Sequence, residues 1–80
     1  MIIPLYGFLE GDTIGLLILA DEKETVQSLA DKLQEAASIR VARRTQVQVM
    51  YRSRAMDPNL TLAQGGFEPL ERFDVVHKEG

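Results

Sequence analysis

The first two apolar segments of the chain predict a β-hairpin. Residues 2–9 (IIPLYGFL) place their side chains alternately on two sides, as a strand does. Residues 10–12 (EGD) are typical of a tight turn, and residues 13–20 (TIGLLILA) predict a second strand that returns antiparallel to the first. The two sides of the first strand are formed by Ile3, Leu5 and Leu9 and by Tyr6 and Phe8.

The second predicted strand is apolar on both sides. It is too short to cross a membrane, which requires about 20 apolar residues. If its alternate residues Leu16 and Ile18 face a helix, other apolar side chains face outward and form a patch that usually marks an interaction site. We expect another polypeptide to cover this patch; the alternative is that loops or the C-terminal segment of the chain cover it. The patch residues are Tyr6, Phe8, Leu17, Leu19 and Met50.

One amphipathic helix follows the hairpin. Thr25 is a suitable N-cap, because its hydroxyl can accept a hydrogen bond from a free backbone N–H. Apolar residues then recur at helical spacing, and Gln34 is assigned to the polar side with other hydrophilic residues. The pattern predicts a helix of roughly 12–14 residues. It is expected to end near residues 38–40, where arginines suit the negative end of the helix dipole.

The second half of the chain predicts two more strands and a helical turn. Residues 47–52 and 72–79 alternate as strands, and residues 60–67 (LTLAQGGF) predict a short helical turn closed by glycines. The first and last strands can pair in parallel, because the helix-containing segment supplies the crossover. The predicted architecture is one α+β domain over residues 1–80, a mixed sheet of four or five strands packed on one helix. Its core is expected to contain Ile3, Leu5, Leu16, Ile18, Val26, Leu29, Leu33, Val49, Leu62 and Val75.

The order of these elements and their local sequences resemble ubiquitin along the whole chain, which implies the β-grasp fold. Within that class, the chain resembles the small gamma subunit of bacterial multicomponent diiron monooxygenase hydroxylases of the toluene, xylene and alkene type. The similarity lies in residues 25–32 (TVQSLADK), in Arg40 and Val41 after the helix, and in residues 66–71 (GFEPLE) leading into residues 74–76 (DVV).

The resemblance implies a non-catalytic, cytoplasmic subunit. It would dock on the large alpha subunit of the hydroxylase, and a beta subunit is a second candidate partner. The alpha subunit would carry the diiron centre and oxidise the aromatic hydrocarbon or alkene. The gamma chain itself would hold no metal or other cofactor, and neither a membrane nor a nucleic acid is an expected partner.

The residues that carry chemistry agree with this expectation. The chain has no cysteine and a single histidine, His77, whereas metal sites usually need several ligands. The acids are scattered, and the pairs Glu22/Glu24 and Glu68/Glu71 lie in predicted loops with no partner that would tune them into an acid–base pair. We therefore predict no catalytic, cofactor or metal site in the chain.

The charge of −3 is unevenly distributed, because residues 36–56 contain five arginines and no acid. A solvated surface and a docking surface for acidic groups of a protein partner both fit this basic segment. RNA binding fits less well, because the rest of the chain is acidic and Tyr51 is the only aromatic residue among the arginines. The candidate docking arginines are Arg40, Arg43, Arg44, Arg52 and Arg54.

Two other functions remain open at this point. A ubiquitin-like carrier or modifier acts through a C-terminal Gly-Gly, whereas the present sequence ends in Glu79 and a single glycine, Gly80. A free-standing ubiquitin-like adaptor domain also fits the predicted fold. Adenylation on incubation with ATP and an activating enzyme would identify a carrier, and a pull-down that returns a large diiron hydroxylase subunit would exclude the adaptor.

Overall fold

The computed structural model describes residues 1–78, which form a five-stranded mixed sheet packed on one main helix. The strand order across the sheet is β2-β1-β5-β3-β4, and the central pair β1 and β5 is parallel. In chain order the elements are β1 (Ile2–Leu9), β2 (Gly15–Asp21), α1 (Val26–Ala36), β3 (Val47–Tyr51), β4 (Arg54–Ala55), α2 (Leu62–Gly65) and β5 (Arg72–His77).

This topology confirms the predicted α+β architecture and the parallel pairing of the first and last strands. In register, Tyr6 lies opposite Arg72 and Leu9 lies opposite Val75. The two-residue strand β4 was not predicted, because it is too short to show alternation. The predicted last strand reached Glu79, which lies outside the described residues, as does Gly80.

The core lies between α1 and one face of the sheet. Every predicted core residue is buried except Leu16, which packs against the core while remaining partly exposed. The prediction missed a second group of buried side chains beside α2. There the rings of Tyr51 and Phe67 stack with their centroids 4.2 Å apart, and Gly66 ends α2 in the left-handed conformation at φ 74°. The buried residues not predicted as core are Leu9, Ala20, Ala30, Ala37, Tyr51, Met56, Phe67 and Phe73.

The connection between β1 and β2 is longer than the tight turn predicted at residues 10–12. It spans residues 10–14, so that β2 begins at Gly15 rather than at Thr13. The Asp12 carboxylate explains the difference, because it accepts hydrogen bonds from Thr13 N (2.8 Å) and from Arg40 Nε and Nη2 (3.1 and 3.0 Å). These contacts hold the loop against the segment that follows α1.

The helix α1 begins as predicted and ends earlier. The Thr25 hydroxyl accepts a hydrogen bond from Ser28 N at 3.1 Å, which confirms the N-cap. The helix contains 11 residues and stops at Ala36, and its last turn contains no basic residue. The prediction that arginines interact with the helix end was therefore wrong for Arg40, which binds Asp12 instead.

Gln34 corrects the prediction of the polar face of α1. Its side chain is only 2% exposed. Its amide nitrogen donates to Arg44 O at 3.0 Å, and its amide oxygen accepts from Arg44 N at 2.7 Å. Because both backbone groups of Arg44 are paired in this way, Gln34 fixes the loop of residues 41–46 against the helix.

Replacing Gln34 with leucine is expected to destabilise the fold by about 1–3 kcal/mol, because both backbone groups of Arg44 lose their partners. Urea unfolding followed by circular dichroism measures this change. Gln27→Leu is the matched control on the exposed side of α1 and should change stability by less than about 0.5 kcal/mol. Equal effects of the two substitutions would contradict the role assigned to Gln34.

The pair formed by Asp12 and Arg40 predicts a pH dependence of stability. The hydrogen bond from Arg40 lowers the pKa of Asp12 in the folded protein below its usual value of 3.8. The stabilisation is thus complete above pH 3.8 and is lost as the pH falls through the lower folded pKa. Asp12→Asn should lower the free energy of unfolding at neutral pH, and its difference from the wild type should shrink in acid.

Unfolding curves collected at neutral pH and well below pH 3.8 test this dependence. The control is the same substitution in an Arg40→Gln background, where the pH-dependent difference should be much smaller. A difference between Asp12→Asn and the wild type that does not change with pH would contradict the assignment.

Candidate interaction surface

The sheet face turned away from α1, here called the open face, carries exposed apolar side chains. Alternation along each strand puts one set of residues on the core side and the other set on the open face. The open face consists of Ile2, Pro4, Tyr6 and Phe8 of β1, Gly15, Leu17, Leu19 and Asp21 of β2, Gln48 and Met50 of β3, Ala55 of β4, and Arg72, Asp74 and Val76 of β5.

Strand pairing brings three of the predicted patch residues together. Tyr6 lies directly opposite Leu17, and Leu19 lies opposite Pro4 on the same two strands. The exposed fractions are 44% for Tyr6, 55% for Leu17 and 57% for Leu19. Residues 1–78 therefore do not cover this part of the sheet, contrary to the alternative that the chain hides its own patch.

The prediction omitted Ile2, which extends the exposed apolar strip along β1. Its side chain is 56% exposed and stands on the same side of the strand as Tyr6. The signal was present in the sequence, because the two residues are separated by an even number of positions.

Phe8 and Met50 are less accessible than a patch centre would be. The Arg72 guanidinium lies 4.0 Å from the centroid of the Phe8 ring, and it also binds Asp74 Oδ1 at 3.0 Å. The ring extends over Gly15, where a Cβ atom would lie 2.5 Å from Phe8 Cζ. Both Phe8 and Met50 are half-buried, and they line a groove of about 840 Å³.

The part of the open face around this groove contains charged side chains. Apolar and charged side chains alternate around it, so the surface is suited to contacts that fix the orientation of a partner. Sequence reasoning did not identify Arg72 as part of this surface. The open-face and flanking residues around the groove are Phe8, Met50, Val76, Arg52, Glu71, Arg72 and Asp74.

The five arginines of the basic segment differ in their ion pairs. Arg40 binds Asp12 at 3.0 Å, and Arg43 binds Asp31 of α1 at 3.2 Å. Both arginines are therefore paired with acids of the chain itself.

The other three arginines differ in their surroundings. Arg52 binds Glu71 at 2.7 Å and is the only one of the five that lines the groove. Arg44 and Arg54 form no ion pair within residues 1–78, where Arg54 opens β4. An interface role for any of the five remains a prediction.

The titratable side chains form hydrogen bonds and ion pairs within the fold. His77 ends β5, with its backbone N–H donating to Glu10 Oε1 at 2.7 Å and its Nδ1 3.7 Å from Glu10 Oε2. The pKa of Glu24 is lowered mainly by a hydrogen bond from Lys32, so this carboxylate stays ionised and holds the start of α1. Within residues 1–78, no group of three metal-ligating side chains is close enough to hold an ion.

None of the helices in the described part of the chain combines the length and the apolar character needed to cross a bilayer.

Solved structures share this fold. A chain from toluene 4-monooxygenase HD in complex with the inhibitor 4-bromobenzoate has a TM-score of 0.89 and 24% identity, covering 98% of the present chain and 100% of that chain. Ubiquitin of Caldiarchaeum subterraneum has a TM-score of 0.82 at 15% identity, covering 100% and 98%. A designed protein based on ubiquitin has a TM-score of 0.83 at 18% identity, covering 99% and 92%. The ubiquitin-like β-grasp fold is thereby confirmed.

No curated protein sequence matches the chain significantly. The family model for toluene-4-monooxygenase system protein B (TmoB) does match, and it covers residues 2–77. This match confirms the resemblance to small subunits of multicomponent monooxygenases. The chain therefore belongs to the toluene-4-monooxygenase system protein B family.

Proposed function

We propose that this chain is a non-catalytic accessory subunit of a diiron hydrocarbon monooxygenase. It docks through its open face on the large hydroxylase subunit, which carries the diiron centre and oxidises the hydrocarbon in the cytoplasm. The observation that carries the proposal is the exposure of Tyr6, Leu17 and Leu19 side by side on a sheet of this family's fold.

The energetics of the open face favour a permanent partner. Fully burying a large apolar side chain contributes about 1.5–3 kcal/mol, and the open face has several such side chains still exposed. The molecule measures 29 × 26 × 19 Å. Faces of this size can supply the roughly 800 Å² per partner that a stable interface needs.

The distribution of charge indicates the chemistry of the partner surface. In the β1–β2 pair, Tyr6 lies opposite Leu17 and Leu19 lies opposite Pro4, so the surface that meets the centre of this apolar strip should be apolar. Charged side chains stand at its edges, with Arg72 opposite Tyr6 and Asp21 at the end of β2. At the groove, Arg52 and Arg72 are already paired with Glu71 and Asp74. These pairs can exchange partners at the rim of an interface and set its orientation, with less influence on affinity.

The exposed strip also makes a free-standing adaptor domain the less favoured of the two candidate functions. A chain that acts alone has to tolerate an exposed apolar strip at every moment, whereas an obligate subunit exposes it only before assembly. Catalysis, cofactor binding and substrate selection are accordingly assigned to the partner. We place no catalytic, cofactor or metal residue in this chain.

Leu17→Lys is expected to prevent assembly, because it places a charge in the centre of an apolar interface. Its affinity for the large hydroxylase subunit should fall by at least about thirtyfold. Stability of the isolated chain should change little, since Leu17 is 55% exposed. Copurification of the co-expressed subunits and a binding titration measure the effect.

The control for this substitution is Gln27→Lys, which adds the same charge on the exposed side of α1. This variant should assemble like the wild type. Wild-type affinity of Leu17→Lys, or loss of assembly with Gln27→Lys, would show that the open face is not the docking surface.

The isolated chain is expected to bind a hydrophobic fluorescent dye or to self-associate, because its apolar strip has no cover. Adding the large hydroxylase subunit should displace the dye in proportion to complex formation. Fluorescence and analytical ultracentrifugation measure the two effects. A monomer that binds no dye would contradict the proposal that the strip requires a partner.

A further inference from the structure

The backbone strain of the molecule is concentrated in one place. Among residues 1–78, three residues other than glycine have positive φ angles: Arg52 at 53°, Ser53 at 65° and Leu70 at 66°. Left-handed backbone is unfavourable for residues with a Cβ atom, and least acceptable for a bulky side chain such as leucine. Residues held in such conformations tend to cluster at functional sites.

Ion pairs connect the two strained segments. Arg52 and Ser53 form the two-residue turn between β3 and β4, and Arg52 reaches across to the segment of residues 68–71. Its Nη2 lies 2.7 Å from Glu71 Oε1 and 3.5 Å from Glu68 Oε2. Arg52 in the turn is therefore bound to residues on both sides of Leu70 in the sequence. We call this arrangement, formed by residues 52–53 and 68–71, the clamp.

Backbone hydrogen bonds fix the rest of the clamp. Glu68 N donates to the hydroxyl of Tyr51 at 3.1 Å. Leu70 N donates to Pro4 O at 2.6 Å, and Tyr6 N donates to Glu71 O at 3.0 Å. The segment therefore extends the pairing of β5 with β1 to Pro4 and Tyr6. The surrounding structure determines its conformation.

The side chain that this arrangement presents is apolar and exposed. Leu70 is 61% exposed, more than Tyr6 or Leu17 on the adjoining strands. A leucine that is neither buried nor conformationally favoured contributes little to the stability of the isolated chain. The backbone bonds to Pro4 and Tyr6 nevertheless place it beside β1, the strand that contributes Tyr6 to the apolar strip.

We propose that Leu70 is an apolar anchor of the interface, held by the clamp for insertion into an apolar pocket of the large hydroxylase subunit. This inference rests on the proposed function, and it adds a specific residue outside the strands and a pocket on the partner. A rigid loop loses little conformational entropy on binding, so preorganisation strengthens the contact that Leu70 makes. The hydrogen bonds and ion pairs of the clamp maintain this conformation in the free chain, so Leu70 is already positioned before binding.

The test is a substitution that changes stability and assembly in opposite directions. Leu70→Gly removes the side chain and suits the left-handed backbone. The variant should have a urea midpoint equal to or above that of the wild type, whereas its dissociation constant from the large hydroxylase subunit should rise about tenfold or more. Leu70→Asn, which also tolerates this conformation, should give the same result and guards against added flexibility in the glycine variant.

Two control variants separate the loss of the leucine from other effects. Ile39→Gly removes an exposed apolar side chain and introduces a glycine, as Leu70→Gly does, but outside the clamp, and it should bind like the wild type. Ile39→Ser removes an apolar side chain that is 89% exposed and lies after α1, and it should also bind like the wild type.

The outcomes distinguish this inference from the proposed function. If Leu70→Gly and Leu70→Asn bind like the wild type while Leu17→Lys does not, the open face docks without a Leu70 anchor and the inference is overturned. If none of these variants weakens assembly, both proposals fail. A lowered urea midpoint for both Leu70 variants, or weakened binding by Ile39→Gly equal to theirs, would also overturn the anchor role.

Discussion

A single helix can cover only one face of a sheet, and this constraint governs the whole molecule. The strand β2 has apolar side chains on both faces, and α1 covers the face that contains Ile18 and Ala20. The opposite face keeps Leu17 and Leu19 exposed, because the remaining elements of residues 1–78 lie elsewhere. The fold is complete as a β-grasp and at the same time leaves one apolar surface without a partner.

The contacts around the sheet fix how that surface is presented. Asp12 binds Arg40 and Gln34 binds the backbone of Arg44, and these contacts fix the loops after β1 and α1. On the other side of the molecule, Arg52 fixes the segment of Leu70 through Glu68 and Glu71. The polar interactions of the chain thus support a rigid scaffold, and the apolar residues that remain exposed are available for a partner.

Local periodicity made the strands, the helix and the open face predictable from the sequence. The exposure of Tyr6 and Leu17 follows from a period of two, and the N-cap at Thr25 follows from the chemistry of its hydroxyl. Gln34 was misassigned because its polarity was given more weight than its position. It lies four residues after Ala30 and three before Ala37, which places it within the buried stripe of α1.

The features that escaped prediction depend on contacts between distant parts of the chain. Asp12 and Arg40 are separated by 28 positions, and no local pattern indicates that they pair. The same applies to Arg52, whose partner Glu71 is 19 positions away. The left-handed conformation of Leu70 could not be predicted either, because leucine disfavours it and only the surrounding hydrogen bonds and ion pairs impose it.

The most direct test of this account is a structure of the chain bound to the large hydroxylase subunit that is proposed as its partner. In the free chain Tyr6 and Leu17 are 44% and 55% exposed. The account predicts that both side chains become buried against apolar residues of the large subunit. A complex in which the partner contacts α1 and leaves both side chains in solvent would contradict it.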